Sequence, residues 1–162
     1  YDEAIRDFTK AIKLDPDYTE AYINRGHIYM NLKDYNAAVN DFSATISLDP
    51  NDVLNYSLRG VIYDKLGDFT AAIRDFSTVI RLNPDDSEGY LARGIAFANS
   101  GDYNAAINDF TTIISLDSND ARGYKQRGIA KEYIGLNYCE DFKKACNLGD
   151  DDSCEWYLEE CI

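Results

Sequence analysis

Apolar residues recur along this chain at helical spacing, and the whole arrangement returns every 34 residues. The stretches that begin at Tyr22, Tyr56 and Tyr90 align without a gap, and a fourth copy begins at Tyr124 before it diverges. Residues 1–16 match only the second half of such a unit. Within a unit, positions three and four residues apart carry apolar or small side chains on one face of each of two helices. The pattern predicts an all-α chain of about ten helices.

Turn residues mark where these helices end. An aspartate follows a glycine or a lysine between the two helices of a unit, and glycine supplies the positive φ that commonly ends a helix. Prolines stop one helix and precede the next. These dipeptides and prolines are Lys33-Asp34, Gly67-Asp68, Gly101-Asp102, Pro16, Pro50 and Pro84. We expect a single array made of residues 1–18 (the second helix of a truncated unit), 19–52, 53–86 and 87–120 (full units), 121–148 (a shortened unit) and 149–162 (a C-terminal capping helix).

A glycine interrupts the middle of each first helix, at Gly26, Gly60, Gly94 and Gly128. Glycine costs about 1 kcal/mol relative to alanine inside a helix. A cost that recurs in every unit indicates that two helices approach each other closely at this point. The expected neighbours are aromatic residues of the second helices, at Phe42, Phe76 and Phe110.

An arginine precedes each of these glycines, and an aspartate recurs in each second helix. The arginines are Arg25, Arg59, Arg93 and Arg127, and the aspartates are Asp41, Asp75, Asp109 and Asp141. In the three full units both residues lie equally far from the centre of the turn, so an antiparallel hairpin would place them at the same height. We predict one bidentate ion pair per unit, which fixes the register of the two helices. A row of ligand-binding arginines is the functional alternative.

All four cysteines lie within residues 139–161. A turn centred on Asp150 would place Cys146 opposite Cys154 and Cys139 opposite Cys161. Two packed helices leave facing Cα atoms roughly 5 Å apart, which is within the range of a disulfide. We predict the disulfides Cys146–Cys154 and Cys139–Cys161. Free thiols and a zinc site are the alternatives, although structural zinc usually takes cysteines two to four residues apart.

The last unit of such an array has no neighbour to bury its outer face. We expect the two disulfides to close this end and Trp156 and Leu158 to cover the core there. Oxidised cysteines would indicate an extracytoplasmic compartment, either periplasmic or secreted, and reduced cysteines would indicate the cytoplasm.

The repeated motif resembles the tetratricopeptide repeat (TPR) family. An aromatic residue, a glycine four positions later, a second aromatic three positions after that, and then Ala, Phe and Pro all fall where that motif has them, as in residues 22–50. The resemblance implies antiparallel helix pairs stacked into a right-handed superhelical solenoid, with the first helix of each pair lining a concave groove. Residues 144–154 also resemble a cysteine-rich bacterial repeat in which disulfides link each helix pair.

The first helices carry a second stripe of side chains, at spacings of three and four, that the resemblance assigns to this groove. Its members are Ile23, His27, Met30, Ser57, Val61, Asp64, Leu91, Ile95, Ala98, Lys125 and Ile129. The mixture of apolar and polar residues suits a partly exposed surface that takes an extended peptide or a partner helix. Packing against the neighbouring first helix is the alternative. The full units lack the basic residues of the chaperone-binding clamp in some TPR proteins, so we do not expect that activity.

The charge of the chain narrows its choice of partners. The net charge is −13, which disfavours nucleic acid and anionic membrane surfaces; it favours basic partners or simply a well-solvated surface. The sequence has no glycine-rich phosphate loop and no zinc-protease or β-lactamase motif, and we expect no cofactor and no metal. His27 is the single histidine, and the repeat pattern gives it no catalytic partner.

The sequence therefore predicts a non-catalytic scaffold that binds a protein or peptide in its concave groove. A redox-responsive or thiol-exchange module at the cysteines is the alternative from a different class. The chain begins within a unit, so we expect it to be a fragment or a processed chain. The half-unit at its start would leave an apolar face for self-association.

Overall fold

The computed structural model describes residues 1–162 and consists of ten α-helices without a β-strand. The helices are α1 (Asp2–Leu14), α2 (Thr19–Asn31), α3 (Tyr35–Leu48), α4 (Val53–Leu66), α5 (Phe69–Leu82), α6 (Ser87–Asn99), α7 (Tyr103–Leu116), α8 (Ala121–Tyr133), α9 (Cys139–Asn147) and α10 (Asp151–Glu160). The all-α prediction with about ten helices is confirmed. The chain forms two compact units, residues 1–83 and 84–162, called here the N-terminal and C-terminal units. The single array expected from the sequence spans both units and stays a prediction.

The N-terminal unit packs helices that are neighbours in sequence. Helices α2 and α3 form one pair and α4 and α5 another, while α1 packs on α2 and α3 on α4. One core cluster consists of the buried residues Ala38, Phe42 and Ile62, against which Met30 packs. No residue of α1 is buried, because this helix has a partner on one side only. Self-association through this helix stays a prediction.

The C-terminal unit repeats the arrangement with α6 paired with α7, α8 with α9, and α9 with α10. Its core cluster contains Ala106, Phe110, Ile113 and Ala130, all at most 1 % exposed. Helix α6 also lies directly beside α8, so first helices of successive pairs are neighbours. Phe142 of α9 is buried as well.

Backbone geometry at the turns follows the predicted signals. Gly67 has a φ of 78°, and Lys33 takes the same left-handed conformation with a φ of 60° although it carries a side chain. The aspartate that follows each of these turns caps the next helix, as Asp68 does by accepting a hydrogen bond from the backbone N–H of Ala71 at 3.0 Å. One turn residue therefore ends the first helix and the next begins the second.

The mid-helix glycines are in close contact with phenylalanines, as expected. A methyl group at Gly94 would lie 2.5 Å from Cε1 of Phe110, and one at Gly60 would lie 2.7 Å from Cε1 of Phe76. Distances this short exclude any side chain unless the ring moves. The ring of a second helix thus packs directly on the backbone of the first helix, which brings the two helices of a pair together.

Candidate functional site

The four predicted arginine–aspartate pairs are all present. Arg59 donates from Nε to Asp75 Oδ2 and from Nη2 to Asp75 Oδ1, both at 2.8 Å. The equivalent bonds of the other three pairs measure between 2.6 and 3.1 Å. The aspartate side chains are only 4–7 % exposed. The hydrogen bond that Arg59 donates to Asp75 outweighs the effect of burial and raises the pKa of Arg59 above its ordinary value.

Each arginine also contacts groups outside its own ion pair. Arg59 Nη1 donates to the Ser43 hydroxyl of the preceding helix pair at 2.9 Å, and its guanidinium lies 5.8 Å from the ring centres of both Tyr56 and Tyr63. Arg25 and Arg127 make the corresponding bonds to Thr9 and Thr111. The arginine donors are therefore occupied by the protein itself. We interpret the row as a structural element that joins neighbouring helix pairs rather than as a ligand site.

The sulfur atoms of the four cysteines lie at bonding distance in two pairs. Cys139 and Cys161 have an S–S distance of 2.02 Å, and Cys146 and Cys154 one of 1.99 Å. The chain has no free cysteine. Asp150 accepts a hydrogen bond from the backbone N–H of Ser153 at 2.8 Å and so begins α10 directly after the turn. Both pairs tie α10 to α9.

The two residues expected to cover the end of the array behave differently. The ring of Trp156 stacks on that of Phe142, with their centres 5.4 Å apart. The expectation for Leu158 is wrong, because this side chain is 64 % exposed. The helical repeat of 3.6 residues turns position 158 away from the face on which Trp156 lies. The ring of Trp156 therefore covers the end of the core, and two disulfides hold the helix that carries it.

In the N-terminal unit the predicted groove residues lie along α2 and α4. Ile23, His27 and Met30 are half-buried on α2; Ser57 and Asp64 are half-buried on α4, where Val61 is exposed. The edge of the His27 ring faces Phe42, with ring centres 5.6 Å apart. Met30 packs on the core. The stripe is thus partly a packing face and partly accessible.

In the C-terminal unit the predicted groove residues lie along α6 and α8. Leu91, Ile95 and Ala98 are half-buried on α6 and pack with one side against the core of this unit. Lys125 and Ile129 are half-buried on α8. None of these residues is fully buried. Packing against neighbouring helices therefore covers only part of each side chain, and the rest is accessible.

Two clefts lie along these helices. The first, the α6–α8 cleft, has a volume of about 340 Å³ and is lined by Ile95, Ala98, Asn99, Tyr103, Phe110, Gln126, Ile129, Ala130 and Tyr133. The second, the α8–α10 cleft, has a volume of about 680 Å³ and is lined by Lys125, Ile129, Glu132, Tyr133, Phe142, Asp152, Ser153, Glu155 and Trp156. Ile129 and Tyr133 line both clefts. The two clefts therefore adjoin and form one recess along α6, α8 and α10.

The third wall of this recess was not predicted. The sequence predicts α10 only as a capping helix, yet Asp152, Glu155 and Trp156 line the larger cleft. A signal for it exists in the sequence. The groove residues Ser57, Leu91 and Lys125 each lie five residues after the aspartate that caps their helix, and the same count from Asp150 gives Glu155. Helix α10 therefore occupies the place of a further first helix.

The basic residues on this side of the C-terminal unit are already paired with acidic side chains. Lys125 Nζ donates to Asp152 at 2.6 Å and to Asp150 at 3.2 Å, and the hydrogen bond to Asp152 raises the pKa of Lys125. Arg122 is bound by Asp120 and by Glu88. By contrast, Glu132 and Glu155 in the α8–α10 cleft form no ion pair. The recess consequently presents free negative charge and no free positive charge.

The chain has no group of three or more His, Cys, Asp or Glu side chains arranged to hold a metal ion. No helix is both long and apolar enough to cross a lipid bilayer.

Comparison with known proteins agrees with this geometry. Three family models match the chain, described as TPR repeat over residues 1–33 and as tetratricopeptide repeat over residues 26–89 and 58–121. The chain belongs to the tetratricopeptide repeat family. The matches end before α9 and α10, where the cysteine pairs fit the second resemblance instead. No curated protein sequence is significantly similar to this TPR chain.

Solved structures share the fold over 72 % or more of this chain. A crystal structure of MamA is 26 % identical, covers 93 % of this chain and 89 % of its own, and superposes with a TM-score of 0.82. YrrB, described as a TPR protein with an unusual peptide-binding site, is 21 % identical, with 98 % and 83 % covered and a TM-score of 0.83. The first TPR of Spaghetti (RPAP3), bound to an HSP90 peptide, is 19 % identical, with 72 % and 93 % covered and a TM-score of 0.65.

Proposed function

We propose that this TPR chain is a non-catalytic interaction module that binds an extended peptide segment of a partner protein through the first helices of its pairs. The observation that carries the proposal is the recess along α6, α8 and α10. The predicted groove residues Ile95, Ala98, Lys125 and Ile129 line this recess, and its two clefts are open enough to admit side chains of a peptide. The fold of YrrB and RPAP3, both described with peptides, supports the same use of the TPR scaffold.

The composition of the recess suits recognition of a peptide better than it suits chemistry. Its surface combines aliphatic and aromatic side chains with a few polar groups, which is typical of binding grooves. His27 lies in the other unit, beside Phe42. All four cysteines are in disulfides, so no thiolate is present to act as a nucleophile.

Affinity selection tests this function directly. A phage library of random seven-residue peptides is selected on the immobilised chain, and enriched peptides are titrated against it. Tyr133→Ala should weaken binding at least about tenfold, because Tyr133 lines both clefts and is 67 % exposed. Tyr1→Ala is the matched control, since Tyr1 is 68 % exposed and lies outside the recess. A chain that enriches no peptide, or a Tyr1 variant as weak as the Tyr133 variant, would contradict the proposal.

A redox-responsive form of this activity is the second candidate, and one observation favours it. Both disulfides hold α10, and α10 supplies one wall of the α8–α10 cleft. Reduction would therefore loosen a wall of the binding site. Exchange of thiols with a partner has no such support.

We also propose that the chain works in an oxidising, extracytoplasmic compartment. Disulfides persist there and are rare in the cytoplasm. Mass analysis of unreduced, alkylated protein from its natural host would decide this, because four added labels would indicate a reducing compartment and no label would indicate an oxidising one.

A further inference from the structure

Four residues of the α8–α10 cleft indicate the chemistry of the partner that it accepts. Glu132 on α8 and Glu155 on α10 both line this cleft. Neither carboxylate has an ion-pair partner within the chain, whereas Asp152 in the same cleft is occupied by Lys125. Two unpaired carboxylates in one recess of about 680 Å³ favour a cation between them.

The other two residues supply aromatic surface to the same space. Trp156 is 41 % exposed although one face of its ring is stacked on Phe142, and Tyr133 is 67 % exposed. Aromatic faces attract ammonium and guanidinium groups, and tryptophan does so most strongly. The alkyl stem of a lysine or arginine would at the same time cover apolar surface such as Ile129.

Long-range electrostatic attraction also favours a basic partner. Residues 150–162 carry six acidic side chains and no basic one, at Asp150, Asp151, Asp152, Glu155, Glu159 and Glu160. The one lysine in the cleft is held by two of these aspartates at 2.6 and 3.2 Å. An acidic or neutral peptide would meet unpaired carboxylates without gaining a partner for them. A basic peptide would be attracted to this end of the chain before contact and paired after it.

One buried polar group near these residues is also without a partner. Ser153 is 1 % exposed and belongs to the lining of the cleft, and its Oγ forms no hydrogen bond with another group of the chain. A buried hydroxyl without a partner is unfavourable. A polar group of a bound peptide would remove this penalty after a small movement of the side chain.

From these contacts we infer that the α8–α10 cleft recognises a lysine or arginine side chain of the bound peptide, with Glu132 and Glu155 as its counter-charges and Trp156 and Tyr133 as its aromatic walls. This inference rests on the proposed function and names the partner as a basic segment. Apolar neighbours of the basic residue would then enter the α6–α8 cleft beside Ile95. The recess therefore selects a basic residue next to an apolar one.

The test repeats the seven-residue phage selection on three forms of the full disulfide-bonded chain. These are the natural chain, the double variant Glu132→Gln with Glu155→Gln, and a charge-matched control with Glu140→Gln and Glu160→Gln, two exposed acids outside the cleft. The natural chain and the control should enrich lysine or arginine at one position at least about fivefold over the starting library. The cleft variant should lose that preference while it still enriches apolar residues.

A direct titration follows with one enriched peptide and its counterpart in which norleucine replaces the basic residue. Trp156 is the only tryptophan of the chain, so its fluorescence reports occupation of this cleft. The basic peptide should bind about tenfold more tightly than the norleucine peptide to the natural chain and the control, and equally to the cleft variant. Enriched peptides without a basic preference, or a preference that survives in the cleft variant, would overturn this inference but not the proposed function. A selection that enriches no peptide would overturn the proposed function with it.

Discussion

Arg59 and Asp75 face each other across α4 and α5 through two hydrogen bonds of 2.8 Å, and Arg59 reaches Ser43 with a third. The pair therefore does more than set the register of its own two helices. Because Ser43 lies on α3, the guanidinium connects one helix pair to the one before it. In an array whose stability depends on contacts between neighbouring units, such a connection contributes to cooperativity.

Removing one partner of this pair should destabilise the chain severely. Asp75→Ala leaves a half-buried guanidinium without its counter-charge, and we expect a loss of about 3 kcal/mol in the free energy of unfolding, measured by urea denaturation. The double variant Arg59→Met with Asp75→Leu removes both charges and should recover most of this loss. Arg74→Ala, an exposed arginine one position away, is the control and should change stability by less than about 0.5 kcal/mol. Equal losses in the Asp75 and Arg74 variants would show that the pair is not structural.

Two glycines allow a comparison between a position where a methyl group would clash and one where it would make a tight contact. Gly94→Ala would place its methyl group 2.5 Å from Phe110, whereas at Gly128 the nearest atom of Phe142 is 3.3 Å away. Alanine gains about 1 kcal/mol in helix propensity at both sites. We expect Gly94→Ala to lower the thermal midpoint, because displacing a packed ring costs about 1 to 3 kcal/mol, and Gly128→Ala to leave it nearly unchanged. A stabilised Gly94 variant would contradict the close packing.

Residues that repeat could be predicted from the sequence, because a period of 34 fixes their place in the helix pair. Equal distance from the turn was sufficient to pair Arg25 with Asp41 without any further information. The third partners of Arg25 and Arg59 were missed, although Thr9 and Ser43 both directly follow a phenylalanine of the repeat. Equal distance from a turn relates residues within one helix pair, whereas Thr9 and Ser43 belong to the preceding pair.

The candidate site was predicted only in part, for a related reason. Ile129 and Lys125 follow the repeat and were found, whereas Trp156 and Glu155 belong to a helix outside it. The divergent sequence of α10 concealed that this helix stands where a first helix would be. Leu158 was misplaced because hydrophobicity alone does not tell which face of a short terminal helix is turned to the core.

Acid should weaken the start of α8 through Asp120. The hydrogen bond from Arg122 holds the pKa of Asp120 below its ordinary value of 3.8. A lowered folded-state pKa means that the contribution of Asp120 is complete above the unfolded value and is lost as the pH falls through the folded value. Urea midpoints of the natural chain and Asp120→Asn should therefore differ at pH 7 and converge as the pH falls below 3.8 and through the lowered folded-state pKa of Asp120. A difference that is independent of pH would contradict this role.

Reduction of the two disulfides should free α10 and abolish the selectivity of the α8–α10 cleft. The Cys139–Cys161 pair spans 22 residues and the Cys146–Cys154 pair spans 8, and closing the longer loop stabilises more, by about 1 kcal/mol in the chain-entropy model. Replacing Cys139 and Cys161 by serine should thus lower stability more than replacing Cys146 and Cys154.

In the fully reduced chain the Trp156 emission should shift to longer wavelength as its ring leaves Phe142, and a basic peptide should bind no better than its norleucine counterpart. Alkylation with mass detection confirms the redox state of each sample, and circular dichroism shows whether α1 to α8 stay folded. Retained selectivity in a chain that carries four labels would show that Lys125 and the aromatic stacking hold α10 without the disulfides.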